Sequence, residues 1–210
     1  MERQSARIAV FISGSGSNLQ ALIDGSKAGI LSGRVVWVVS SSAKAYGLTR
    51  AEAEGIETFV FRPKKYASLE IAGAELLSGL QERKIDYIAL AGYLKLLPAN
   101  IVSAYRNRIV NIHPALLPKY GGKGMYGHHV HEAVLASGDK ESGVTVHLVN
   151  EIYDQGKILD QVRVPVLPGD TPDSLAERVL EQEHKLYPRA LNKLIHGEYE
   201  VNNGRRPDDN

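Results

Sequence analysis

Asn111 and His113 stand two residues apart at the end of an apolar run, Arg108-Ile109-Val110-Asn111-Ile112-His113-Pro114. Alternate residues of a strand share a face, so the amide and the imidazole should point the same way, with Cα atoms roughly 6–7 Å apart. Pro114 then stops the strand. A donor amide beside a titratable ring, at the exit of a buried strand, suits a reaction that develops an oxyanion and moves a proton. Asp154, in Asp154-Gln155-Gly156, could stay ionised, pair with His113 and order a water near a reacting carbonyl. Each residue also has a simpler reading. Asn111 would cap a turn, His113 would make a structural hydrogen bond, and Asp154 would be a turn residue close to a glycine.

A second constellation is Ser13-Gly14-Ser15-Gly16-Ser17-Asn18, which follows the first apolar run and precedes a helical pattern. Glycines let the backbone approach an anion, and the exposed N–H groups of a helix start favour phosphate. The dinucleotide fingerprint G-x-G-x-x-G is broken, because no glycine follows Gly16 in Ser17-Asn18-Leu19, and no Walker lysine follows. The alternative is a tight turn in which Ser17 or Asn18 caps the helix. Seven histidines are present. His128 and His131 would share a helix face, but the H-E-x-x-H spacing of a metal site is missing, so packing beside His113 is expected instead. His147 alternates with Thr145 on a strand and could face the site, but a satisfied core histidine is the simpler reading. Glu183 alone reads as a solvated helix-surface acid. Tyr93-Leu94-Lys95-Leu96-Leu97 reads as core packing at a strand exit or as an apolar slot with a basic rim.

The elements that carry these residues alternate. Ile8 to Ile12, Val35 to Val39, Thr58 to Phe61, Tyr87 to Leu90 and Ile109 to Ile112 read as strands, and their near-continuous hydrophobicity suits a parallel sheet covered on both faces. Asn18 to Ala28, Tyr46 to Glu54, Ser68 to Lys84 and Pro98 to Tyr105 read as helices, with Ser68 as N-cap and Pro98 in the first turn. Such alternation predicts right-handed crossovers and an α/β, doubly wound sheet. A glycine-rich loop, Lys119 to Gly127, then precedes a helix from His128 to Ala136. Gly143 to Val149 and Ile158 to Val164 are separated by too few residues for a helical crossover, so they are expected to pair antiparallel. Thr171-Pro172-Asp173 opens a last helix running to His196. One domain over residues 1–200 is expected, with 201–210 a flexible polar tail.

Composition narrows the function classes. At 210 residues the chain suits a domain that buries about 70% of its unfolded surface. Lys and Arg number 25 against 24 for Asp and Glu, a formal net charge of +1, which gives no electrostatic reason to expect nucleic-acid binding. The absence of cysteine excludes disulfides and thiolate chemistry. No apolar run approaches the ~20 residues of a membrane span, and the first residues lack the apolar core of a signal peptide. A cytoplasmic chain is expected.

The motifs Ile12-Ser13-Gly14-Ser15-Gly16-Ser17-Asn18-Leu19-Gln20, Asn111-Ile112-His113-Pro114 through Lys119-Tyr120, and Asp154-Gln155-Gly156, in this order, together resemble phosphoribosylglycinamide formyltransferase, the folate-dependent transformylase of purine synthesis. The resemblance runs from about Arg7 to His196. It implies a Rossmann-like formyltransferase fold, a single mostly parallel doubly wound sheet with an antiparallel pair near the C-terminus. It implies 10-formyltetrahydrofolate as co-substrate, no metal, small-molecule substrates, no nucleic-acid or membrane partner, and a monomer or weak homodimer. Asn111, His113 and Asp154 would be catalytic. Asn111 would donate to the oxyanion, and His113, partly protonated near pH 7 with its proton affinity raised by Asp154, would stabilise that charge or relay a proton. Gly16, Ser17 and Asn18 would hold the monophosphate of the ribonucleotide, Pro114 would line its site, and Glu183 would bind its amine. Folate would lie along Tyr93, Leu94, Lys95, Leu96 and Leu97, with Asn111, Asn150 and Tyr153.

The chain departs from the family in three places. Lys95 stands where many relatives carry Arg, no Arg appears around Leu69, and the loop from Gly121 to Gly127 is longer and richer in glycine. The nearest rivals are formyltetrahydrofolate hydrolase, which usually carries an extra N-terminal module, and methionyl-tRNA formyltransferase, which usually adds a C-terminal nucleic-acid-binding domain. From other classes, the broken glycine fingerprint speaks against a dinucleotide oxidoreductase. The combined Asn111, His113 and Asp154 speak against a noncatalytic nucleotide-binding module.

Overall fold

The structure, a computed structural model, describes residues 5–199. The expected tail, 201–210, lies outside the described residues. The chain runs through β1 (Ala6–Ile12), α1 (Ser17–Lys27), β2 (Gly33–Ser40), α2 (Tyr46–Ala53), β3 (Glu57–Val60), α3 (Leu69–Glu82), β4 (Tyr87–Leu90), α4 (Ala99–Ala104) and β5 (Ile109–His113). It continues through α5 (His128–Ser137), β6 (Glu141–Leu148), β7 (Ile158–Pro165) and α6 (Pro172–Ile195). The seven strands form one sheet in the order β3-β2-β1-β4-β5-β6-β7. Strands β1 to β5 are parallel, and β6 runs antiparallel to both β5 and β7.

Both faces of the central strands are covered, which is why these segments are apolar throughout rather than alternating. In β1, Ile8, Val10 and Ile12 enter one core with α1 and α6 residues such as Leu19, Leu22 and Leu191. Ala9 and Phe11 enter the opposite core with Trp37, Leu76 and Leu80. Besides this packing, a buried hydroxyl fastens helix α6 to the sheet. The Tyr187 hydroxyl, fully buried, lies 2.9 Å from the Leu90 carbonyl and 3.2 Å from that of Val110, so it can donate to either strand. No helix among the described residues is long and apolar enough to cross a membrane.

Ser68 caps α3 as expected, its Oγ accepting from Ile71 N at 3.2 Å. Thr171 and Ser174 form a reciprocal capping box at the start of α6, satisfying two N–H groups that the helix leaves open. Pro98 differs from the expectation. It is the N-cap of α4, with φ −55° and ψ 139°, because an extended residue there turns the chain out of β4 before the helix begins. Strand β5 also extends through His113, and β6 starts at Glu141 rather than Gly143.

Tyr187→Phe should cost about 1–2 kcal/mol, since two buried strand carbonyls lose their shared donor while the ring's packing stays. Urea denaturation of both proteins checks this. An unchanged midpoint would mean that those carbonyls are satisfied without the hydroxyl.

Candidate active site

A cleft of about 1160 Å³ opens at the C-terminal ends of β1, β4 and β5. Here the strand order reverses, with β2 and β3 on one side of β1 and β4 onward on the other. Connections leaving adjacent strands toward opposite faces cannot fill the space between them, so a crevice forms at this point. The loop after β1 (Ser13 to Asn18), the segment after β4 (Ala91 to Leu97) and the end of β5 (Asn111 to Pro114) all line it. So does the β6–β7 connection, including Asn150, Tyr153 and Asp154.

Asn111, His113 and Asp154 converge in this cleft, joined by His147. The His113 Nε2 lies 2.7 Å from the Tyr120 carbonyl. A carbonyl can only accept, so Nε2 carries a hydrogen and the neutral ring keeps its lone pair on Nδ1, which faces Asp154 Oδ2 at 3.7 Å. The same logic fixes His147. Its Nδ1 donates to Leu148 O at 2.8 Å, leaving Nε2 to accept from Asn111 Nδ2 at 3.1 Å. Asn111 Nδ2 also reaches Asp154 Oδ1, at 3.4 Å. That longer bond is the weaker of the two, so its hydrogen is the one most easily redirected.

Asp154 has φ +54°, a left-handed conformation that Asp tolerates in turns. The turn reading and the site geometry are therefore compatible, since the turn aims the carboxylate into the cleft. Burial pushes its pKa up, but the His147 ring, the Gly122 N–H at 2.9 Å and the neighbouring imidazoles outweigh that, holding the acid below its ordinary value. For His113 the balance runs the other way. Burial lowers its pKa more than the Asp154 charge and the Tyr120 carbonyl raise it. The ring is thus mainly neutral at pH 7, not partly protonated as the family resemblance led us to expect.

At the other end of the cleft, Gly16 has φ +73° and precedes α1. The first-turn N–H groups of Ser17 and Asn18 have no acceptor within the helix, and both residues line the cleft. Asn18 is buried, and its Nδ2 donates to Glu183 Oε2 at 2.6 Å. Glu183 is therefore no solvated surface acid. It is 7% exposed, and burial raises its pKa to about 7 despite the Asn18 bond. One residue thus links the glycine loop to a buried carboxyl 165 positions away.

The segment after β4 divides. Tyr93 packs edge-on against Phe11, ring centres 5.3 Å apart, and forms the floor; burial pushes its pKa up to about 12. Leu94 and Leu96 are exposed, with Lys95 and Leu97 beside them on the cleft wall. The exposed side chains of Tyr126, Ile152 and Tyr153 line the same cleft. Such an apolar lining fits a flat, largely apolar ligand. Asn150 Oδ1 accepts from Ile152 N at 3.0 Å and shapes this connection.

His128, His129 and His131, at the start of α5, do not share a partner. His128 pairs with Asp173 at 2.9 Å and His129 with Glu132 at 3.4 Å. His131 is buried at the cleft, its pKa lowered to about 4 by burial and by the neighbouring His128 and His113. Among the described residues no group of three or more His, Cys, Asp or Glu is placed to hold a metal. His147 is the member of the polar cluster that sequence reasoning placed in the core. It is buried and satisfied, but it also orients Asn111. Its signal was the alternation with Thr145, which becomes informative only once His147 is known to sit opposite Asn111 in the β5–β6 register.

The sequence profile of the Formyl transferase family matches residues 6–191. The chain is 45% identical over 194 residues to the phosphoribosylglycinamide formyltransferase, chloroplastic, of Arabidopsis thaliana, covering 92% of this chain but only 66% of that protein's length. It is 40% identical over 190 residues to the phosphoribosylglycinamide formyltransferase of Escherichia coli (strain K12), covering 90% of this chain and 87% of that one. Its fold superposes on the crystal structure of glycinamide ribonucleotide transformylase 1 from Symbiobacterium toebii with a TM-score of 0.87 and 41% identity, over 94% and 91% of the two chains. The doubly wound sheet with its antiparallel end is thus the fold of this family.

Glu183 yields a pH test. Its folded pKa of about 7 lies above the ordinary 4.5, so the folded chain holds this proton more tightly than the unfolded one. The group's contribution to stability therefore falls as pH rises through that window and stays low above it. Glu183→Gln should escape this loss, gaining up to ~3 kcal/mol on the parent between pH 4 and pH 8. Parallel stability-versus-pH curves for the two proteins would show instead that Glu183 titrates normally.

Proposed function

The chain belongs to the formyl transferase family, and from that premise we infer that it transfers the formyl group of 10-formyltetrahydrofolate to the amine of 5-phosphoribosylglycinamide in purine (IMP) biosynthesis. The observation that carries the reading is the sharing of one cleft by the Asn111–His113–Asp154 cluster, the Gly16–Asn18 loop and Glu183. A formyl-activating group and a phosphate site in the same crevice, with a carboxyl beside the phosphate site, suit an acceptor that is both phosphorylated and an amine. The apolar rim from Leu94 to Leu97 and at Tyr153 suits the folate ring system, and Pro114 stiffens the exit of β5 between the two substrates.

In this reaction the amine nitrogen bonds to the formyl carbon and the carbonyl electron pair moves onto oxygen. The bond from that carbon to the folate nitrogen then breaks, and the folate nitrogen receives the proton that the amine gives up. Asn111 Nδ2 turns its weaker hydrogen from Asp154 to the developing oxyanion, while His147 holds the other. His113 takes up the proton at Nδ1, the edge facing Asp154, whose charge stabilises the imidazolium. Glu183, ionised, accepts a hydrogen bond from the incoming amine, and Gly16, Ser17 and Asn18 hold the phosphate through backbone N–H groups. No metal is needed in this scheme. The chain is proposed to act in the cytoplasm, as a monomer or weak homodimer, with residues 1–200 forming one catalytic domain and small molecules as its partners.

Formyl release from 10-formyltetrahydrofolate should depend on added phosphoribosylglycinamide, and His113→Ala should lower turnover at least ~100-fold. Comparable release without the amine would identify a hydrolase. Near-normal turnover by His113→Ala would remove that ring from the proton path.

A further inference from the structure

Helix α2 does not line the cleft, yet it holds two carbonyls of the glycine loop. Gly47 N donates to Gly14 O at 3.1 Å, and Arg50 Nε donates to Ser15 O at 3.0 Å. The contact is too close for side chains. A Cβ on Gly16 would lie 2.5 Å from the Gly47 Cα and 3.5 Å from the Arg50 Cδ. The Arg50 guanidinium also stands over the Tyr46 ring, 5.1 Å from its centre, so its plane is fixed from one side by an aromatic face and at its edge by a carbonyl.

A trans peptide points its C=O and the following N–H in opposite directions. Holding Ser15 O outward on Arg50 therefore turns the Gly16 N–H the other way, and holding Gly14 O on Gly47 does the same for the Ser15 N–H. The anion-binding face of the loop is set from behind. Arg50 also places a positive charge next to the loop. The pKa of His184, adjacent to Glu183 in sequence, is lowered first by burial and then by this guanidinium, so the field of Arg50 reaches the helix that carries the buried carboxyl.

We propose that Arg50 is a positioning residue that fixes the Gly14–Asn18 loop for the phosphate of the acceptor and thereby sets affinity for the phosphorylated substrate. Lysine is no substitute at such a position. It lacks the planar fork that can bond a carbonyl edge-on while stacking on a ring. The proposal rests on the formyl-transfer reading for its substrate, though not for its anion chemistry.

Arg50→Gln and Arg50→Lys should be compared with the parent in melting temperature, in steady-state kinetics with each substrate varied, and in inorganic phosphate binding followed by 31P NMR. Arg50→Gln should raise KM for phosphoribosylglycinamide about 10-fold, the loss of one charge-assisted hydrogen bond. Its kcat and the KM for 10-formyltetrahydrofolate should stay within about twofold, and phosphate binding should weaken in step. Arg50→Lys, which keeps the charge and the stem, should fall between the two and decides the matter if Arg50→Gln melts early. Unchanged KM and phosphate affinity in the lysine and glutamine variants, or an equal rise in KM for both substrates, would overturn the proposal. A parent enzyme that transfers no formyl group would defeat the substrate reading alone, because phosphate binding still reports on the loop.

Discussion

Between β1 and β4 the sheet reverses the direction in which it adds strands, and the connections from those two strands leave toward opposite faces. The space between them at the C-terminal edge cannot be filled by either connection. Everything chemical in this molecule follows from that gap. The glycine loop is what β1 runs into, the apolar rim is what β4 runs into, and the Asn111 and His113 side chains stand at the end of β5, one strand further on. Tyr187 sits beneath the gap with its hydroxyl against the carbonyls of Leu90 in β4 and Val110 in β5. The long helix α6 is thereby held at the depth where Glu183 enters the cleft.

The polar cluster depends on two backbone carbonyls as much as on its charged groups. Tyr120 O and Leu148 O each face a ring nitrogen, and since neither can donate, they select the tautomers of His113 and His147. Those tautomers decide where lone pairs lie and hence which way Asn111 presents its amide. Burial then supplies the electrostatic poise. It keeps His113 mainly neutral despite the charge of Asp154 beside it, while Asp154 remains ionised. A neutral base facing a carboxylate gains most from protonation when charge develops nearby, which suits the proton-accepting role proposed for His113.

The central strands were legible because burial on both faces leaves a mark that needs no partner to interpret: Ile8 to Ile12 is apolar without interruption. The direction of β6 was not legible. A loop and a ten-residue helix between β5 and β6 would serve a parallel crossover equally well, and nothing in Glu141 to Leu148 records which way the strand runs. That gap concealed His147, whose place opposite Asn111 exists only in the antiparallel register. Glu183 was hidden for a related reason. Its neighbours along α6 give it an ordinary helical context, and its buried hydrogen-bond partner, Asn18, is 165 positions distant. Local pattern reports the elements and their caps; the polarity of a site formed between elements is written in pairings that a single sequence does not display.

Asn18 shows what such a pairing can accomplish. Its backbone belongs to the loop that would meet the phosphate, and its side chain holds the carboxyl that would meet the amine. On the proposed reading, the two ends of one substrate are gripped by a single residue whose position is set by the first turn of α1. Binding energy gained at the phosphate, remote from the reacting atoms, can then be used to hold the amine in line with the formyl carbon. The grip is only as good as the rigidity of the loop, and this chain secures the loop from behind, through the carbonyls that α2 holds. The acceptor's specificity would then depend on a helix that never touches the reacting centre.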